Sequence, residues 1–132
     1  MTQIVCNTCK TTYPLADARW KCDCGAPLDI HFEAAFDTDA IRSRKPSMWR
    51  YREALPIAND EHIVTFGEGF TPLLETEIGG KPLWIKPENL FPTGSFKDRG
   101  ASVLISRAVE LGIRKIVEDS SGNAGAAVAA YA

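Results

Sequence analysis

The sequence predicts an α/β protein, a parallel-sheet portion in βαβα order preceded by a small β module built on cysteines. Three observations point there. All four cysteines fall between Cys6 and Cys24. Strand-like and helix-like runs alternate from Gly67 onward. Two loops, 93–100 and the small-residue run 120–125, stand where strand gives way to helix, the place at which α/β folds hold ligands. The expected organisation is a cysteine module in residues 1–30, a partly helical connection in 31–65 and an α/β portion in 66–132.

Composition excludes several classes. Of 132 residues 45% are hydrophobic and 24% charged, so neither a disordered chain nor a low-complexity filament is expected. With 15 Lys+Arg against 17 Asp+Glu the net charge is −2, too small to demand nucleic acid or an acidic membrane as partner. No apolar run approaches the roughly 20 residues of a membrane span. The N-terminal Met1-Thr2-Gln3-Ile4-Val5-Cys6 lacks the basic and apolar regions of a secretion signal, and the cytoplasm is the expected compartment.

The cysteine spacing is Cys6-x2-Cys9-x12-Cys22-x-Cys24-Gly25. Two close pairs separated by a dozen residues make two knuckles that converge on one tetrahedral metal, with sulfur about 2.3 Å from the ion. Gly25 suits the second knuckle, where the chain turns tightly and only glycine takes a positive φ freely. Ile4-Val5, Thr11-Thr12-Tyr13 and Leu28-Asp29-Ile30 supply the flanking strands. A reducing compartment opposes the alternative of two disulfides. Zinc is the expected ion, and iron of rubredoxin type fits the same four thiolates. His31 is expected at the surface. With all four positions filled by protein the metal is structural, and a ribbon of about 30 residues needs such a staple because its core is too small.

In the connection, residues 33–36 and 48–55 read as helical, with Pro56 ending the second piece. Trp49 and Tyr51 are expected to pack. Arg42, Arg44, Lys45, Arg50 and Arg52 are expected to form a solvated face.

Beyond Gly67, residues 83–87 read as a strand and 92–94 as a turn. Ala101, Leu104, Ile105, Ala108 and Val109 then recur at helical spacing from Ser95, and Gly112 closes that helix. Residues 113–117 read as a second strand, and the alanines from Ala126 as a second helix. Ser95 and Asp98 fit a capping box, which leaves Lys97 unexplained. A lysine in the first turn sits at the positive end of the helix dipole, where the field favours the neutral amine that a Schiff base requires. Around Gly122 small residues let backbone N–H groups approach an anion at the start of the next helix.

Together, Lys86-Pro87-Glu88, Pro92-Thr93-Gly94-Ser95-Phe96-Lys97-Asp98-Arg99-Gly100 and Ser120-Ser121-Gly122-Asn123-Ala124-Gly125 resemble the fold-type II enzymes of pyridoxal phosphate. Among these the resemblance is to threonine synthases, which also share Gly67-Glu68-Gly69-Phe70-Thr71-Pro72-Leu73 and often begin with a cysteine ribbon such as Cys6, Cys9, Cys22 and Cys24. The resemblance implies that Lys97 forms the Schiff base with the cofactor and moves protons between substrate carbons. It implies that Asn123 hydrogen-bonds the cofactor's ring oxygen, and that Ser120, Ser121 and the amides around Gly122 hold the substrate carboxylate. Asp98 and Arg99 would fix the lysine loop. The implied lyase reaction takes O-phosphohomoserine, a small amino-acid phosphoester, and water to L-threonine and phosphate, in a possible homodimer with no nucleic-acid or membrane partner.

The alternatives are a threonine dehydratase or cysteate synthase type of reaction on the same fold, or a non-catalytic zinc-ribbon adaptor. Phe91 stands where the family usually has Asn. No glycine-rich loop for the cofactor phosphate and no partner for the pyridine nitrogen is found, and Ala132 ends inside a helical run. The expectation is therefore an N-terminal fragment, inactive alone.

Overall fold

The computed structural model describes residues 2–132. The cysteine module forms a three-stranded antiparallel sheet in the order β2-β1-β3, with β1 at Gln3–Cys6, β2 at Thr12–Pro14 and β3 at Leu28–His31. Ile4 lies opposite Tyr13 on one side and Ile30 on the other. Ile4, Val5 and Cys6 are its buried residues on β1, a core too small to stand alone. His31 is exposed, as expected.

The connection departs from expectation. Residues 33–36 are not helical; the helix is α1 at Thr38–Ser43, because Asp37 caps it by accepting from the Asp39 and Ala40 amides. Met48–Ala54 is a 3-10 segment broken at Tyr51, with Leu55 extended ahead of Pro56. Trp49 is buried and Tyr51 is 41% exposed. The basic run does more than face water. Arg44 grips the Glu53 carboxylate through both terminal nitrogens, Arg50 donates to the Ile41 carbonyl, and Arg52 bonds Asp60 and the Ile57 carbonyl. Arg42 and Lys45 stay exposed.

A parallel sheet is not formed among the described residues. β4 at Leu74–Ile78 and β5 at Lys81–Ile85 pair antiparallel as a hairpin. Gly79 and Gly80, at φ 60° and 75°, make the two-residue turn that matches strand twist. Residues 113–117 belong to no strand, and Val117 is 85% exposed. A parallel ladder needs a second strand running the same way, and β5 has instead paired with its sequence neighbour at the small entropic cost of a tight turn.

Two helices complete the architecture, α2 at Lys97–Glu110 and α3 at Asn123–Tyr131. Gly112, at φ 69°, ends α2 with the Ile113 amide bonded to Ala108 and its own amide to Val109, the paired bonds of a Schellman motif. Ala101 and Ile105 of α2 pack on Ala127, Val128 and Tyr131 of α3, with Val64 against them. Among the described residues no helix is long and apolar enough to cross a membrane.

One buried carboxylate ties these parts together. Glu68 is 1% exposed. It accepts from Trp49 Nε1, the Phe66 amide and Tyr131 Oη, each at 2.9 Å, and from Thr65 Oγ1. Burial pushes its carboxyl up, but the hydrogen bonding outweighs burial and holds it below the ordinary 4.5. Burial, with the Glu68 bond added, pushes the Tyr131 phenol far up. Replacing Glu68 with Ala orphans several buried donors and should cost about 3 kcal/mol in a denaturant or thermal melt. Because the folded-state carboxyl titrates below its unfolded value, its contribution is complete above pH 4.5 and lost as pH falls through the folded value. Glu68→Gln should flatten that acid limb of the stability curve.

Candidate functional site

The four cysteine sulfurs lie within 4.8 Å of one another. Cys6 Sγ is 3.6 Å from Cys24 Sγ, and Cys9 Sγ is 3.4 Å from Cys22 Sγ. These separations exceed the roughly 2.05 Å of a disulfide and approach the roughly 3.8 Å edge of a tetrahedron with metal–sulfur bonds of about 2.3 Å. The hairpin backbone brings them together. Lys10, at φ 63°, and Gly25, at φ 85°, turn the two knuckles, and the Cys9 amide points at Cys6 Sγ.

Crowding splits the thiols. The Thr11 hydroxyl, 3.1 Å from Cys9 Sγ, is the main cause that pulls Cys9 down to about 6. At Cys24 the Ala26 amide pulls downward, but the three neighbouring sulfurs together push the thiol up to about 12. Four sulfurs held this close form a donor set that fits one soft tetrahedral ion. Tyr13, read from sequence only as a strand residue, sets its hydroxyl 3.1 Å from Cys22 Sγ and is pushed up to about 12 chiefly by that bond. Its spacing to the cysteines gave no signal of this.

Lys97 opens α2, and its side chain is exposed. Its Nζ lies 5.1 Å from the centre of the Phe96 ring. The expected capping box is not formed. Phe96 is the residue ahead of the helix and offers no acceptor, while Ser95 Oγ accepts weakly from the Lys97 amide at 3.3 Å. Asp98, 0% exposed, turns back to accept from the Thr93 amide at 2.8 Å and from the Thr93 hydroxyl. The threonine offers it two donors together, which the Ser95 amide cannot match. Phe91 is buried, and the Arg99 guanidinium sits 4.8 Å above its ring.

Asn123 opens α3 and is exposed, as are Ser120, Ser121 and Gly122. Ser120 Oγ accepts from the Gly122 amide at 3.2 Å, and the Ser120 amide donates to Glu118. Each loop leads into one of the two packed helices. Ala101 lies one turn beyond Lys97 and Ala127 one turn beyond Asn123, and these alanines belong to the shared core. An open lysine amine and an open amide, each one turn from that contact, fit an aldehyde cofactor with a ring oxygen. Glu68, Glu88 and Thr71 entered the sequence reading only as members of motifs and were given no role; carboxylates and threonines in such runs ordinarily read as surface.

The family model described as "Pyridoxal-phosphate dependent enzyme" matches residues 64–132. The chain is 40% identical over 136 residues to a threonine synthase of Methanocaldococcus jannaschii, an alignment covering 96% of this chain and 34% of that protein. It is 36% identical to a threonine synthase of Methanosarcina acetivorans, over 99% of this chain and 34% of that one. A threonine synthase of Halalkalibacterium halodurans is 43% identical over 64% of this chain and 27% of its own. The chain thus spans about a third of the length of the first two relatives.

The loop before α3 depends on Gly125, where an added Cβ would lie 2.4 Å from the Ser120 carbonyl oxygen. Gly125→Ala should therefore cost about 1–3 kcal/mol in a thermal melt. Gly100, in α2 with open space where its Cβ would be, makes the contrast. Gly100→Ala should stabilise by about 1 kcal/mol.

Proposed function

The chain belongs to the family of pyridoxal-phosphate dependent enzymes, and from that premise we propose that the whole protein makes L-threonine and phosphate from O-phosphohomoserine and water. What carries the reading is an exposed lysine at the first position of α2, in a chain similar over nearly its whole length to threonine synthases. Pyridoxal phosphate, when bound, would supply an electron sink that lets C–H bonds break at the amine-bearing carbon and then at the carbon next to it. In the reaction Cβ gives up a proton, phosphate leaves Cγ, the hydroxyl of water adds at Cβ, and Cγ gains a proton to become the methyl group.

This chain's part is to hold, orient and move protons. Lys97 Nζ supplies the amine that holds the cofactor and then carries protons between neighbouring substrate carbons. The Asn123 amide donates to the cofactor's ring oxygen. Ser120, Ser121 and the amides from Gly122 onward receive the substrate carboxylate, an anion at the positive end of α3. Asp98 closes the turn on Thr93, and Arg99 holds the helix start from its other side. The substrate is a small molecule, with neither nucleic acid nor membrane as partner, and a homodimer is the proposed assembly.

Borohydride reduction of the full-length protein, followed by peptide mapping, should find a pyridoxyl group on Lys97 and none in Lys97→Ala, whose activity should fall by at least about 10³-fold. Threonine release from O-phosphohomoserine supports the synthase; ammonia release from threonine instead identifies a dehydratase.

The cysteine cluster is proposed to hold one structural zinc through Cys6, Cys9, Cys22 and Cys24. Metal analysis should return one zinc per chain, and a red, visibly absorbing protein would assign iron instead. Cys22→Ser or chelation should melt the ribbon, because metal binding and folding are linked in modules of this size. Acid should release the ion as the thiolates take up protons.

A further inference from the structure

Glu88 and Thr71 have no assigned part, yet they form a brace behind the lysine helix. Glu88 lies in the 3-10 turn Glu88–Leu90 that follows β5. Its two carboxylate oxygens take Arg99 Nε at 2.7 Å and Nη2 at 2.8 Å, a bidentate pair. Thr71 Oγ1 donates to Glu88 Oε1 at 2.8 Å, and Lys86 Nζ donates to the Thr71 carbonyl at 2.7 Å. The Phe91 ring lies beneath the guanidinium. Arg99 so strongly favours the charged carboxylate that Glu88 is pulled down to about 2.

The helix start needs this brace. Its preceding residue, Phe96, supplies no capping acceptor, so the first turn is open to fraying. The Asp98–Thr93 contact closes the turn upon itself but ties it to no other element. The Glu88–Arg99 pair links the first turn to the chain leaving β5, and Thr71 extends the link to the segment before β4. We propose that Glu88, seated by Thr71, is a positioning residue that fixes the presentation of Lys97 through Arg99. The inference rests on Lys97 being the cofactor-bearing lysine.

The test uses the full-length protein stripped of cofactor. Pyridoxal phosphate is added, borohydride is introduced at timed intervals, and pyridoxyl-Lys97 is quantified by peptide mapping, with melting temperature measured on the same samples. Glu88→Gln should slow labelling of Lys97 about tenfold, and Thr71→Val by a smaller factor, since small misplacements of a reacting group carry large rate penalties. The pair is partly solvent-exposed, so melting should shift by less than about 3 °C. The double swap Glu88→Arg with Arg99→Glu should recover most of the labelling rate. Labelling of Glu88→Gln at the unaltered rate overturns the inference. So does slowing that tracks a large loss of melting temperature and is not relieved by the swap, which would make Glu88 merely structural. Absence of a pyridoxyl group on Lys97 in the unaltered protein sinks the cofactor reading, and this inference with it.

Discussion

The arrangement of α2 and α3 depends on a carboxylate that has no water to face. Glu68 sits among Trp49 of the 3-10 segment, its near neighbours Thr65 and Phe66, and Tyr131 at the end of α3. An unpaired charge in such a place would be expensive, so the site is stable only when every donor is present. That makes the contact cooperative. Trp49 Nε1 also reaches Ser102 Oγ, which donates to the Val64 carbonyl, so the network runs from Glu68 into the middle of α2. Ser106 Oγ, one turn on, accepts from the Val64 amide and returns its proton to the Ser102 carbonyl. The apolar contact of Ala101, Ile105, Ala127 and Val128 supplies area, and the polar network supplies register.

Gly69 shows how tight that register is. The Met48 amide donates to the Glu68 carbonyl at 2.7 Å, and a Cβ on Gly69 would meet Met48 N at 2.5 Å. The backbone at Glu68 is thus pressed against the 3-10 segment that carries Trp49, and the positive φ of Gly69 allows that approach. At the other end of α2, Glu110 accepts from the Ala58 and Asn59 amides and pairs with Arg107, whose guanidinium also reaches the Leu15 carbonyl of the cysteine module. The ribbon and the connection therefore meet on the last turns of the same helix whose first turn carries Lys97.

How much of this the sequence discloses depends on the range of the interactions. The ribbon strands were legible because cysteine spacing and short alternating runs are local, and the three strands fall where those runs predict. The lysine helix and its glycine stop were legible for the same reason. The site residues were assigned from motif resemblance, and the structure places them at the starts of two packed helices. What escaped was every decision between competing partners. Asp98 had both Ser95 and Thr93 within reach, and two donors outweighed one. β5 had a neighbour two glycines away, so it paired antiparallel. Glu68, flanked by glycines, carried no periodic signal of burial, and its partners Trp49 and Tyr131 lie 19 and 63 positions away.

The way the helical elements are capped separates support from site. Asp37, Ser47 and Asn59 each place a side-chain oxygen on the amides of the element they start, and none of those elements carries a candidate site residue. α2 and α3 begin after Phe96 and Gly122, neither of which provides a capping acceptor. Leaving a cap out costs a helix about 1 kcal/mol. The two helices that go without are the two bound most firmly elsewhere, through Glu68 and their common alanine-rich face. Firm packing one turn in, with the Glu88–Arg99 pair at the start of α2, holds both helices in place while the Lys97 and Asn123 side chains stay exposed.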